Sequence, residues 1–128
     1  MKKILYAPII LALFLLLFLS QCYYDEILLE EPEPPEGDIS FLSNIIPIFN
    51  ADCNTSGCHN GVIAPDLTPT NAYNALISGN YINTEVPEDS ELYQWMAGNR
   101  SLSMPIDGPN STYNVTVLEW IKQGAKNN

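Results

Sequence analysis

Seven residues near the middle of the chain, Cys53-Asn54-Thr55-Ser56-Gly57-Cys58-His59, limit its possible structures more tightly than any other segment. Two thiols stand close together and an imidazole comes directly after the second. His59 is the only histidine in the chain. A cluster of this kind can staple a small domain, and the remaining sequence allows only a small one. The foldable part, from Ile39 to about Lys126, is roughly ninety residues and can bury only a modest apolar core, so domains of this size commonly depend on a staple.

The residues before Ile39 are of a different kind. Lys2 and Lys3 give a positive start, Ile9 to Leu19 is almost continuously apolar, and Ser20-Gln21-Cys22 comes next. This is the order of a secretory signal peptide. The apolar run is shorter than the roughly 20 residues of a membrane span. Leu19-Ser20-Gln21-Cys22 resembles the lipobox of bacterial lipoproteins, which implies a signal peptide over 1–21, cleavage before Cys22 and lipid attachment there. Several acyl chains give stable anchoring where a single chain is marginal. The alternative is an uncleaved N-terminal helix with a free Cys22. From Cys22 to Asp38 the chain reads as a lipidated, acidic, Pro-rich linker. Glu30-Glu31-Pro32-Glu33-Pro34-Pro35-Glu36-Gly37-Asp38 combines prolines with like charges and favours a disordered, extended tether. Tyr23 and Tyr24 read as tether residues near the membrane surface. Acidic residues soon after the lipidated cysteine also resemble the surface-export signals of some Bacteroidetes-type lipoproteins. The expected location is therefore the cell envelope, lipid-anchored to a bacterial membrane and facing the periplasm or the exterior.

Charge narrows the partners. All fifteen acids lie after Cys22, against three bases (Arg100, Lys122 and Lys126), a balance of −12 for the processed chain. That argues against nucleic acid and anionic lipid surfaces. An electrostatically steered partner should present a basic face. The plainer role of such charge is solubility.

Residues 39–128 read as one domain, mostly α. Leu42, Ile45, Ile46 and Phe49 stand at the spacing of an apolar helix face. Pro47 sits inside that pattern, so this helix is short or bent. Thr70 to Ser78 is a second helix candidate, with Ala72, Tyr73, Leu76 and Ile77 on its apolar side and Gly79 as a stop. Ser90 can cap a third helix carrying Leu92, Tyr93, Trp95 and Met96, ended by Gly98-Asn99. Ser111 or Thr112 can cap a last helix on which Val117, Trp120, Ile121 and Gly124 repeat the spacing. Val115, Thr116 and Val117 weaken helix propensity there slightly. No alternating strand pattern and no internal repeat is visible. Tyr93 and Trp95 read as helix-face packing rather than as redox relays.

Three chemistries are open to the central cluster. Cys53 and Cys58 can form a disulfide, which an oxidising compartment and their separation both permit. A zinc site usually takes four ligands, and only three obvious ones cluster here. Attachment of haem c needs two thiols for the two vinyl groups and an imidazole just after the second thiol, so that the ring ligates iron from one face. The common spacing places two residues between the cysteines; here there are four, mostly small and polar, including a conformationally permissive Gly57. A second axial ligand would come from a later loop. Met104-Pro105, inside the turn-rich stretch Ser101 to Asn110, is the candidate, and its thioether would raise the reduction potential. Met96 is the competing thioether, but it lies in an apolar helical pattern and reads as core; for Met104 ordinary packing and an open sixth position remain the alternatives. No nucleophile–base pair stands out, because the single histidine is committed.

At these residues the chain resembles monohaem class I cytochrome c domains, and in particular the C-x4-C-H variants found in Bacteroidetes-type lipoproteins. Ile45-Ile46-Pro47-Ile48-Phe49 matches the family's first helix, Cys53, Cys58 and His59 its attachment residues, Ser103-Met104-Pro105 its distal-methionine loop, and Trp120-Ile121-Lys122-Gln123-Gly124-Ala125 the end of its last helix. The resemblance covers about Ile39 to Lys126. It implies a bundle of about four short helices with long loops wrapped around one haem, with Phe49 or Ile45 packing near Trp120 where the first and last helices cross. It also implies one covalent haem c, His59 and Met104 as axial ligands, redox partner proteins and an electron carrier rather than a catalyst. The competing expectations are a haem-free, disulfide-stapled lipoprotein acting as adaptor or assembly component, and an enzyme or sensor with an open haem site.

Overall fold

A computed structural model describes residues 32–128. The expected signal peptide over 1–21, the lipidation expected at Cys22 and the tether as far as residue 31 lie outside the described residues. Among those described, a π-helical turn (Phe41–Ile45) runs into α1 (Ile46–Asp52), followed by α2 (Ala72–Ser78), a 3-10 turn (Pro87–Asp89), α3 (Glu91–Met96) and α4 (Ser111–Lys122), with no strand. The fold is mostly helical, with long connections. No described helix is long and apolar enough to cross a membrane.

Pro47 explains how the first helix begins. A proline has no N–H to donate and its ring presses on the carbonyl four residues back, so it is tolerated in a first turn and not in an interior one. Pro47 falls in the first turn of α1, and the turn before it is widened: the Ile46 N–H donates to Phe41 O, five residues back. The extra residue of a π-turn slips the apolar phase by one position. Leu42, expected on the buried face, is 66 % exposed, and Phe41 takes its place at 2 %. Ile45, Ile46, Ile48 and Phe49 are buried.

Phe41 is then the centre of an aromatic cluster. Its ring centroid lies 5.2 Å from Trp120, 5.3 Å from Tyr73 and 6.3 Å from Phe49. The meeting of the first and last helices therefore runs through Phe41, with Phe49 behind it. Val117, Trp120 and Ile121 of α4 are fully buried. The Trp120 indole N–H donates to Lys126 O at 2.9 Å, and the Tyr73 hydroxyl donates to Ala125 O at 3.1 Å, which folds the segment after α4 back onto the core.

The two ends of the domain are tied together. The Phe41 N–H donates to Asn128 Oδ1 at 3.0 Å and the Leu42 N–H to Asn128 O at 3.0 Å, so Asn128 satisfies two donors that a helix start leaves open. The Ile39 N–H donates to Gln123 Oε1 at 2.7 Å, and Gln123 Nε2 donates to Gly37 O at 3.1 Å. Ile39 is buried, whereas residues 33–38 are exposed, which puts the start of the core at Ile39.

Three local expectations are corrected. Ile77 is 45 % exposed, because the buried side of the short α2 is only Ala72 and Leu76. Ser90 stands at the N-cap of α3 but does not bond into it; its buried hydroxyl accepts from the Asn83 N–H at 2.9 Å and so pins the preceding loop. The cap of α4 is Asn110, one residue before the two expected, and its side chain accepts from the Tyr113 N–H at 3.1 Å.

Candidate functional site

The central cluster begins where α1 ends. Cys53 is the C-cap of α1, and its N–H donates to Phe49 O at 3.0 Å. The four residues between the thiols fold as a tight turn. The Cys58 N–H donates to Thr55 O at 3.0 Å, and Gly57 holds φ +84° at the third position, where a type II turn requires a positive φ. The His59 N–H then donates to Cys53 O at 3.1 Å, closing the loop and returning the imidazole-bearing residue beside the first cysteine. The longer spacing is thus absorbed by one extra turn. Beyond it, the Leu67 N–H donates to His59 O at 2.7 Å, and Asn54 Nδ2 donates to Leu67 O at 3.2 Å, so the segment from 53 to 67 is braced internally by backbone and side chain.

The imidazole is oriented by two main-chain carbonyls. His59 Nδ1 lies 3.0 Å from Pro65 O and 3.2 Å from Ile63 O. Both partners can only accept, so Nδ1 carries the proton and, in the neutral ring, Nε2 holds the free lone pair. This is the arrangement that fixes the tautomer of a metal-ligating histidine. No spacing rule would have singled out Pro65, because it acts through its main-chain oxygen.

Cys53, Cys58, His59 and Met104 all line one cleft of about 480 Å³. That volume lies within the roughly 300–1,000 Å³ of small-molecule and cofactor sites. The rest of the wall is largely apolar: Ile63, Pro65 and Leu67 from the braced loop, Leu92, Trp95 and Met96 from α3, Tyr81 before it, and Pro105 and Ile106 beside Met104. Trp95 is therefore more than helix-face packing, and Met96 is core as expected. Met96 is 2 % exposed and belongs to the core and to the cleft wall at once. The Met104 N–H donates to Trp95 O at 3.3 Å, which ties the Ser101–Asn110 loop to the end of α3. Gly98 permits that fold-back: its φ is +76°, and a Cβ there would lie 2.9 Å from Pro109 Cγ.

Electrostatics differ between the parts of the site. Burial pushes the Cys53 thiol up to about 11, with the Asp52 carboxylate and Cys58 adding to the effect. Cys53 is half-buried, Cys58 is exposed, and both are free thiols. Among the described residues no group of three His, Cys, Asp or Glu side chains is arranged to hold a metal ion. Next to the cleft, the Glu91 carboxylate accepts from the Trp95 indole N–H at 2.7 Å and from Arg100 Nε at 3.2 Å, and hydrogen bonding from Arg100 holds its carboxyl below the usual carboxylate range.

A wall that is largely apolar suits a broad apolar ligand. The sulfur and nitrogen donors of the cleft are two thiols, one imidazole nitrogen and two thioethers, a soft set of the kind that iron and copper centres use, with the Asp52 carboxylate and the Thr55 hydroxyl at the same wall. Fold and site together define a small helical domain with an apolar cleft bearing sulfur and imidazole. No protein-family model, curated protein or solved structure matches the chain.

Proposed function

We propose that this protein is a single-haem c-type cytochrome, tethered to a bacterial membrane through Cys22, that passes one electron at a time, and that its domain is cytochrome c-like. One observation supports this above the others: the attachment pair Cys53 and Cys58, the proximal candidate His59 and the distal candidate Met104 line the same apolar cleft, with His59 Nδ1 tied to a carbonyl and Nε2 left to ligate. The residues present fit the group. The two thiols would hold the two vinyl groups, the imidazole tautomer would leave a nitrogen for iron, and the largely apolar wall would suit the macrocycle.

Bound haem supplies a one-electron couple between ferric and ferrous iron. Cys53 and Cys58 hold it to the chain as thioethers. His59 would offer Nε2 to the iron, and its hydrogen bond to Pro65 O keeps the ring aimed. Met104 contributes a thioether, which favours the reduced state and lifts the potential. The apolar wall excludes water, so little solvent reorganises when charge changes. The negative domain favours a redox partner with a basic face.

Spectroelectrochemical titration of the haem-loaded protein tests this reading. It predicts a single reversible one-electron wave and a ferrous form that does not take up carbon monoxide. Ready carbon monoxide binding would instead favour an open iron site and a sensor or enzyme.

A further inference from the structure

Helix α3 is six residues long, and the loop that follows it carries one of the two thioethers of the cleft. The segment from Trp95 to Met104 leaves α3, turns at Gly98 and returns so that the Met104 N–H reaches Trp95 O. At 3.3 Å this backbone bond is long, and the Asn99 N–H to Gln94 O bond at 3.0 Å braces only the turn out of the helix. A second tie spans the same interval. Glu91, one helical turn before Trp95, uses Oε1 for the Trp95 indole N–H and both oxygens for the Arg100 guanidinium, with Nε at 3.2 Å and Nη2 closer still. One carboxylate therefore holds a cleft-wall ring on the helix and a cation in the middle of the returning loop. Arg100 is one of only three bases after Cys22, which makes its placement opposite Glu91 a specific use of scarce positive charge.

We propose that Glu91 is a positioning residue: its carboxylate latches Arg100 and Trp95 so that the loop bearing Met104 stays closed over the cleft. The inference rests on the reading of Met104 as distal ligand for its functional meaning, but the latch itself is a property of the chain. With the latch made, the Trp95 indole N–H is satisfied by a carboxylate, and Met104 is presented to the cleft rather than to solvent. With the latch broken, the loop opens and the thioether is lost from the site part of the time.

Hydrogen exchange and peroxide oxidation of the full chain, read by mass spectrometry, test the latch with or without haem. Wild type is compared with E91A, E91Q and R100A. Arg100 is exposed, so R100A is not expected to disturb the core, and the Val117 amide in α4 reports on the fold as a whole. In E91A and R100A the Met104 amide should exchange about fivefold faster, and Met104 should form sulfoxide faster by a similar factor, the scale expected for a solvent-screened ion pair with shared hydrogen bonds. E91Q, which keeps an acceptor for Trp95 but loses the charge, should fall between. In haem-loaded protein the same variants should weaken the long-wavelength sulfur–iron absorption and lower the potential. Met104 exchange and oxidation equal to wild type in R100A, with Val117 still protected, would overturn the latch. Failure of the chain to retain haem would sink the cytochrome reading and leave the exchange result standing as its own answer.

Discussion

In the haem-free chain, Cys53 should resist alkylation far more than its neighbour. Only the thiolate reacts with iodoacetamide. Burial moves the Cys53 thiol from 9.0 to about 11, so its thiolate fraction near neutral to mildly alkaline pH falls by about two powers of ten relative to an ordinary thiol. The expected rate for Cys53 at about pH 8 is therefore roughly a hundredth of its rate in the same chain unfolded in urea. Cys58 is exposed and serves as the internal comparison within each digest. The same shift links folding to pH. The unfolded thiol ionises near 9.0 and the folded one near 11, so between those values the unfolded state binds fewer protons and stability falls as pH rises. The loss is about 1.4 kcal/mol per pH unit, some 2–3 kcal/mol in all, and below the lower value this contribution is constant. A thioether has no proton to lose, so the haem-loaded protein should not show this alkaline decline. Native-state alkylation of Cys53 within about threefold of the unfolded rate would show that the thiol is not shielded by burial.

Other perturbations reach other parts of the molecule. Met104→Ala in the haem-loaded protein should lower the potential by on the order of 0.1 V, within the roughly 0.8 V that axial ligands span, and admit carbon monoxide, whereas Met96→Ala should leave the potential nearly in place. Phe41→Ala removes a ring that is 2 % exposed and touches three other aromatic rings, and should cost about 3–5 kcal/mol in urea denaturation, where Leu42→Ala should cost less than about 1. Asn110→Ala removes the side-chain cap of α4 and should lower stability by about 1 kcal/mol in the same assay, while Ser111→Ala should change little.

What could be read from the chain depended on what each residue does. Cys53, Cys58, His59 and Met104 stand out because thiol, imidazole and thioether chemistry is carried by residue type, and the structure brings all four to one cleft. The helical character and the burial of Val117, Trp120 and Ile121 are legible from period alone. Phe41 was hidden because the phase of the pattern slips at a π-turn, and that turn is set by the local geometry ahead of Pro47 rather than by the order of apolar residues. Pro65 was hidden because its contribution is a main-chain oxygen, which every residue type possesses. Ser90 and Asn110 show the limit of reading caps from composition: both are residues that can cap, but a buried serine with a closer loop partner bonds elsewhere, and the neighbouring asparagine takes the role expected of Ser111 or Thr112. Trp95 lay on an apolar helix stripe, and only the return of the Met104 loop shows that the stripe continues into the cleft.

Long-range order in this domain comes from a few ties between distant residues: Asn128 on the first helix, Gln123 on the segment before it, and Phe41 on Trp120. Of these, Phe41 and Trp120 are core residues while Asn128 is exposed, and the cleft is enclosed by the braced 53–67 loop, the residues around Tyr81, α3 and the Met104 loop. Leu67, Leu92 and Met96 belong to both the core and the cleft wall, so a ligand that fills the cleft should also stabilise the core, and the half-buried Tyr81, Trp95 and Met104 should lose further contact with water on binding.

Everything proposed for Cys53, Cys58, His59 and Met104 depends on covalent haem, and a pyridine haemochrome spectrum after denaturation and acid-acetone extraction decides whether it is there. The sample is the processed protein made with a cytochrome c maturation system that accepts the four-residue spacing. A c-type cytochrome should retain haem on the polypeptide with a c-type α-band, and replacing both Cys53 and Cys58 by alanine should abolish it. Haem extracted entirely into the solvent, with a Cys53–Cys58 disulfide in the recovered chain, would contradict covalent attachment and favour a haem-free, disulfide-stapled lipoprotein.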